Sequence, residues 1–325
     1  MNEIKNLIIT SGDPGGIGTE VIIKALHKFE VPDGWKVLIL GDIRHYSVLC
    51  DQMSLKNKWD CIIKKGKLPE ALPGKILFID FANVSKIMLG KTGKEYGRAT
   101  VEYLEYALAM HAKGMMNALV TAPICKKSMW LAGYHYAGHT HYLARKTKIK
   151  YLTMSMHSNA LKVFFVTDHI PFSKIIQLLS LPRIIKTVER AQDCIKRYYA
   201  EDAKIGMCSL NPHGGEEGIF GHEEKMITAA GDYWRNKGLH ISSPMAPEIC
   251  FRKAVSGEFD GIIAQYHDQG MIPFKLTSQG KGLNVSLGLP FTRVSPEHGT
   301  AFDIADKFIA DESSMLNALY YAVRA

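Results

Sequence analysis

Three histidines stand in polar loops that each follow a short apolar run: Asp168-His169-Ile170-Pro171, Leu210-Asn211-Pro212-His213-Gly214-Gly215-Glu216-Glu217-Gly218, and Gln265-Tyr266-His267-Asp268-Gln269-Gly270. Neutral imidazole is the commonest ligand of divalent transition metals, and three such ligands leave positions open for substrate oxygens. Any one of them also reads as a hydrogen-bonded loop histidine. Their recurrence, each beside glycines or carboxylates, points to a metal site. His139, in Gly138-His139-Thr140-His141, opens a helix. There an imidazole and a capping hydroxyl suit a carboxylate or phosphate, or serve simply as an N-cap. His27, His45, His111, His135 and His157 have no such setting and read as structural.

The first turn, Thr10-Ser11-Gly12-Asp13-Pro14-Gly15-Gly16-Ile17-Gly18-Thr19-Glu20, lets the backbone approach a ligand and places helix N–H groups toward an anion or cofactor. It is neither GxGxxG nor a phosphate-binding NTPase loop. A plain tight strand-to-helix turn is the alternative, and Asp13 with Glu20 tips the reading toward function. Further on, Lys275, Asn284 and Arg293 are single polar residues in apolar or glycine-rich sequence, as groups converging on a pocket are. Arg293 suits bidentate phosphate binding, with Lys275 as a point charge; solvated surface charge is the alternative. Glu297 to Ala305 reads as another polar turn opening a helix.

The elements that must hold these loops alternate. Strands are expected at Leu7–Ile9, Val37–Leu40, Ile76–Asp80, Ala118–Val120, Tyr151–Met156, Leu161–Val166, Ile205–Ser209 and Ile262–Ala264. Helices are expected at Gly18–Phe29, Arg98–Ala112, Ile184–Tyr198 and Ser314–Val323. This is the βα pattern of a largely parallel sheet, and each histidine loop lies past a strand's C-terminal end, where such sheets bind ligands. At 325 residues the chain is long enough for two lobes. Its +8 charge is scattered, with no block of like charge, which argues for an anionic small substrate and against nucleic acid. Six spaced cysteines without a CxxC pair, no signal-like N-terminus and no bilayer-length apolar run lead us to expect a cytoplasmic protein with no membrane association.

Together these segments resemble the 4-hydroxythreonine-4-phosphate dehydrogenase family of pyridoxal phosphate biosynthesis. The likeness rests on Gly12-Asp13-Pro14 with Gly16-Ile17-Gly18 and Glu20, Thr121-Ala122-Pro123-Ile124 with Lys126, Gly138-His139-Thr140 and Asn211-Pro212-His213. It continues in Tyr266-His267-Asp268-Gln269-Gly270, Asn284 to Pro290 with Arg293, and His298-Gly299-Thr300-Ala301. The first turn and the last segment also look like the wider isocitrate and isopropylmalate dehydrogenase group, which binds its cofactor without a Rossmann fingerprint.

The resemblance implies two α/β/α lobes around a mostly parallel sheet with a cleft between them, approximately 1–135 plus 285–325 and 136–284. It implies NAD or NADP as cofactor, a divalent ion on His169, His213 and His267, and substrate contacts from His139, Thr140, Lys275, Asn284 and Arg293. Cofactor contacts are implied at Gly12, Asp13, Gly16, Gly18, Asn284, Leu287, Gly288, His298 and Gly299. It further implies a homodimer whose active sites borrow residues from the partner. The reaction expected is oxidation and decarboxylation of 4-phosphohydroxy-L-threonine to 3-amino-2-oxopropyl phosphate, with Asp268 or Lys275 as general base. The donor set leaves zinc, cobalt, magnesium and manganese open, and no ribose-binding carboxylate distinguishes NAD from NADP. The chain departs from the family in having His141 where Glu is usual, and Gly15-Gly16 and Thr19 where Ala and Pro are common. A dehydrogenase of threonate or erythronate 4-phosphate would use the same motifs. A non-redox metal-dependent hydrolase or a phosphate-binding regulatory protein is the remote alternative.

Overall fold

The computed structural model describes residues 4–66 and 74–325; Met1–Glu3 of the N-terminal segment considered above lie outside them. The chain forms two compact units, residues 1–148 with 289–325 and residues 149–288. His139 and Thr140 therefore belong to the first unit.

From the N-terminus the first unit runs β1 (Lys5–Thr10), α1 (Gly18–Lys28), β2 (Trp35–Gly41), α2 (Ile43–Gln52), β3 (Cys61–Lys64), β4 (Ile76–Asp80), α3 (Lys94–Ala112), β5 (Ala118–Thr121), α4 (Lys126–Leu131) and α5 (His139–Lys146). The second unit contains β6 (Thr153–His157), β7 (Lys162–Phe165), α6 (Ile175–Leu178), α7 (Leu181–Tyr198), β8 (Lys204–Met207), α8 (Glu224–Arg235), β9 (His240–Ile241), α9 (Pro247–Val255), β10 (Gly261–Ala264), α10 (His267–Ser278) and β11 (Leu283–Leu287). The chain then returns to the first unit with β12 (Thr292–Pro296) and α11 (Ser313–Ala322).

In the first unit the strands pair all-parallel in the order β3-β4-β2-β1-β5-β12. The runs Leu7–Ile9 and Val37–Leu40 are wholly buried because parallel strands are covered on both faces. Ile8, Leu38, Leu77 and Leu119 meet Tyr103 and Leu104 of α3 in one apolar cluster. In the second unit the order is β11-β6-β7-β10-β8-β9. The β6 pairings with β11 and β7 are antiparallel, and the rest are parallel. Its core joins Val163, Phe165, Ile262 and Phe274.

The glycine-rich stretch from 282 to 293 holds β11 and the start of β12, where no strand was expected. One expectation fails. Residues 298–309 form turns and no helix; the next helix begins at Ser313. Left-handed Ala301 (φ 42°) and Phe308 (φ 53°) break helical geometry there, and Thr300 offers its carbonyl to Ile17 N–H at 3.0 Å instead of to its own chain.

Candidate active site

On the first unit the glycine-rich turn is shaped by backbone crowding. A side chain at Gly12 (φ +71°) would stand 2.2 Å from the Pro123 carbonyl oxygen, and one at Gly16 would stand 2.8 Å from that of Thr300. Gly18 meets the Ser11 carbonyl in the same way, at 2.6 Å. The two acids of the turn point inward. Asp13 is fully buried, and its Oδ1 accepts from Gly15 N–H at 2.9 Å. Burial pushes its carboxyl up to about 6, with Ser128 and the Gly15 N–H holding it back. Glu20 accepts from Lys24 Nζ at 2.6 Å and from Ala310 N–H at 2.9 Å, tying α1 to the segment before α11. These contacts give both carboxylates a structural reason to be there. Gly299 differs, since open space lies where its side chain would be; beside it His298 Nδ1 is 3.1 Å from the Gly299 carbonyl.

Arg293, the second residue of β12, is 2 % exposed and donates to Thr121 Oγ1 at 2.6 Å at the C-terminal end of β5. Burial pushes the guanidinium down to about 9, still charged at neutral pH. Burial first, and then the Arg293 charge, hold His139 well below the usual histidine value, so its ring is neutral. His139 Nε2 is buried without a hydrogen-bond partner. A buried cation beside a neutral imidazole with an unused nitrogen is a setting an anionic oxygen would satisfy. Thr140 lies inside α5 and the N-cap is Gly138, so the hydroxyl does not cap the helix as expected.

On the second unit His169 and His267 approach with ring centroids 5.0 Å apart. The His267 ring stacks on Phe165 at 6.1 Å, and its Nδ1 lies 2.7 Å from Asp268 Oδ1. A carboxylate accepts there, so Nδ1 carries a proton and the ring is oriented from behind, as a metal-ligating histidine is. His267 opens α10, which packs closely on β7: a side chain at Gly270 would meet Phe165 at 2.5 Å and Val163 at 2.7 Å. This donor pair and its orienting carboxylate fit a divalent ion. Among the described residues of the single chain no third His, Cys, Asp or Glu completes a group able to hold one.

His213 is exposed on the loop after β8. Residues 213–217 all have positive φ, with His213 at 52°, Glu216 at 40° and Glu217 at 56°. Each non-glycine residue so placed costs on the order of 1–2 kcal/mol, so the loop needs external ties. Glu224, at the start of α8, supplies them through hydrogen bonds from Leu210 N–H (2.9 Å), Asn211 N–H (2.7 Å) and Asn211 Nδ2 (2.8 Å). Burial raises the Glu224 carboxyl, but the Asn211 and Leu210 donors outweigh it and hold it below the ordinary glutamate value.

Lys275 is exposed in the last turn of α10. Asn284 lies on β11 with Oδ1 buried and unpartnered, and Leu287 pairs with Thr153. Gly288 (φ +98°) is covered by the Arg190 guanidinium, whose Cζ would be 2.4 Å from an added Cβ. Arg190 and Glu224 were not singled out from sequence, and Thr121 stood there only as part of the Thr121-Ala122-Pro123-Ile124 motif. Only Thr121 carried a signal there, as a polar residue ending a buried strand.

Residues 36–322 match the family model described as pyridoxal phosphate biosynthetic protein PdxA. The D-threonate 4-phosphate dehydrogenase of Cupriavidus necator is 36% identical over 96% of this chain and 94% of its own. The 4-hydroxythreonine-4-phosphate dehydrogenase of Desulfosudis oleivorans is 36% identical over 99% and 96%. A crystal structure of 4-hydroxythreonine-4-phosphate dehydrogenase from Klebsiella pneumoniae superposes with a TM-score of 0.83 at 31% identity, covering 100% of this chain and 99% of that one. Isocitrate dehydrogenase from Methylococcus capsulatus shares the fold at a TM-score of 0.51 and 14% identity, over 98% and 85%.

Proposed function

The chain belongs to the pyridoxal phosphate biosynthetic protein PdxA family, and from that membership we propose that it oxidises 4-phosphohydroxy-L-threonine with NAD or NADP. The resulting β-keto acid loses CO2 to give 3-amino-2-oxopropyl phosphate. The observation that carries this reading is the pairing of His169 with an Asp268-oriented His267. On the other unit, buried Arg293 stands by a neutral His139.

Arg293 and His139 would bind the phosphate or another anionic oxygen, and Thr121 orients the guanidinium. Thr140, Lys275 and Asn284 would complete the substrate contacts. His169, His267 and His213 would hold one divalent ion, with zinc, cobalt, magnesium and manganese all compatible with the donors. When bound, such an ion lowers the pKa of the substrate hydroxyl and stabilises negative charge developing during decarboxylation. The nicotinamide carries the redox step; Gly12, Asp13, Gly16, Gly18, Asn284, Leu287, Gly288, His298 and Gly299 would line its site, the crowded glycines by shaping the turn. Because Asp268 is engaged by His267, Lys275 is the better candidate for the base that takes the hydroxyl proton.

His213 would join the pair from a second copy of the chain. An exposed apolar surface on the second unit supports a homodimer: Ile272 and Leu276 on α10 are 63% and 78% exposed, and Phe172 is 76%. Ile219 and Phe220 add two more exposed apolar side chains beside the His213 loop. Free thiols at all six cysteines suit a cytoplasmic enzyme. Among the described residues no helix is long and apolar enough to cross a membrane.

Equal identity to relatives of both names leaves D-threonate 4-phosphate as the second substrate reading. Steady-state reduction of NAD and NADP with 4-phosphohydroxy-L-threonine, D-threonate 4-phosphate and erythronate 4-phosphate tests the choice. The proposal expects the highest kcat/KM with the amino acid phosphate, and a higher value with either of the others contradicts it.

A further inference from the structure

We propose that Glu224 is the positioning residue for His213, fixing the loop that presents this imidazole; the proposal rests on reading His213 as a metal ligand. The loop has little else to hold it. Between Asn211 and Phe220 only Gly215 is buried, and the apolar residues Ile219 and Phe220 face outward. An open cavity of about 380 Å³ lies between the loop and α8, lined by Gly214, Glu217, His222, Glu224, Lys225 and Thr228 among others. Apolar packing therefore does not support the left-handed run. Around the 3-10 turns of Pro212–Gly218, Gly214 N–H reaches the Asn211 carbonyl at 3.2 Å, Ile219 N–H that of Glu216, and Phe220 N–H that of Gly215, both at 3.1 Å.

The Glu224 carboxylate holds the entrance to this run and lies against its middle. Oε1 receives the N–H groups of Leu210 and Asn211 just before His213, and Oε2 receives the Asn211 side-chain amide. The same Oε2 lies against Gly215, 2.7 Å from where a side chain would begin. Glu223 shares the Asn211 amide at 2.7 Å. His213 is thus two residues from one anchor point and two from the other. Releasing the carboxylate frees the backbone to abandon the conformation that aims the ring.

The test is Co(II) binding to the intact metal-stripped protein, followed by the visible absorption of bound cobalt, with His213→Ala as the control. Outer-sphere partners of metal ligands typically contribute about 10–100-fold in affinity. Glu224 acts through the backbone, so Glu224→Ala is expected at the low end, a loss of about tenfold. Glu224→Gln should regain most of it, because its oxygen still accepts from Leu210 and Asn211. Should Glu224→Ala not fold, Gly215→Ala displaces the carboxylate without removing it and is expected to show the same loss. Wild-type cobalt affinity in Glu224→Ala, or in Gly215→Ala as its substitute, overturns the positioning role. Wild-type affinity in His213→Ala overturns instead the metal reading beneath it.

Discussion

Replacing Asp13 by Asn isolates the electrostatic character of the first turn. Asp13 has no solvent exposure, and its carboxyl titrates near 6 against an ordinary 3.8. A shift of about 2 units corresponds to about 3 kcal/mol, at about 1.4 kcal/mol per unit. The sign follows from linkage: the folded state holds the proton more tightly than the unfolded state. Below about pH 4 both states are protonated and Asp13 costs nothing. As pH rises from about 4 to 6 the unfolded chain releases its proton first, so native stability falls, and the full penalty persists above about 6. Asn keeps an oxygen to accept from Gly15 N–H and cannot ionise. Urea unfolding of both proteins should give nearly equal stability near pH 4 and an advantage of about 3 kcal/mol for Asp13→Asn at pH 8. A gap that does not change with pH, or one that favours the wild type increasingly as pH rises, would refute the desolvation argument.

Buried His45 and His157, with the half-buried His139, predict acid sensitivity of the opposite kind. His45 is held down near 4, His157 near 3, and His139 well below 6.5, in each case chiefly by burial. The unfolded chain takes up protons that the folded chain does not, so stability should fall as pH drops below about 6.5. His157→Gln should flatten that slope in urea titrations. Thr121→Val removes the acceptor of the Arg293 guanidinium and should raise KM for the phosphorylated substrate about tenfold, from the about 1.5 kcal/mol of a hydrogen bond to a charged group; an unchanged KM removes Thr121 from the site. Gly16→Ala drives a methyl toward the Thr300 carbonyl and should destabilise the chain by about 1–3 kcal/mol in urea.

Much of this was legible because burial writes itself into sequence. The runs at Leu7–Ile9 and Val37–Leu40 are apolar on both faces, which is what a covered parallel strand requires. β11 and β12 escaped because Asn284 and Arg293 interrupt their apolar pattern, and what makes them strands is pairing with β6 and β5, more than a hundred residues away. The expected helix after Glu297 lost to a tertiary bond between Thr300 and Ile17. The histidine loops were visible from residue type and position, but distances were not. His169 and His267 meet, whereas His213 joins no metal group within the described single chain. The burial of Asp13 was not legible, because sequence does not tell which way a turn residue points. Glu224 drew no notice because only the folded loop brings Leu210 and Asn211 to its carboxylate.

Whether these loops make a metal-dependent dehydrogenase is tested directly by reduction of NAD or NADP with 4-phosphohydroxy-L-threonine, followed by absorbance in protein stripped of metal and then reloaded. The stripped protein should show no reduction, and adding a divalent ion should restore it. Equal rates in both preparations, or no reduction with either cofactor in reloaded dimeric protein, would contradict it.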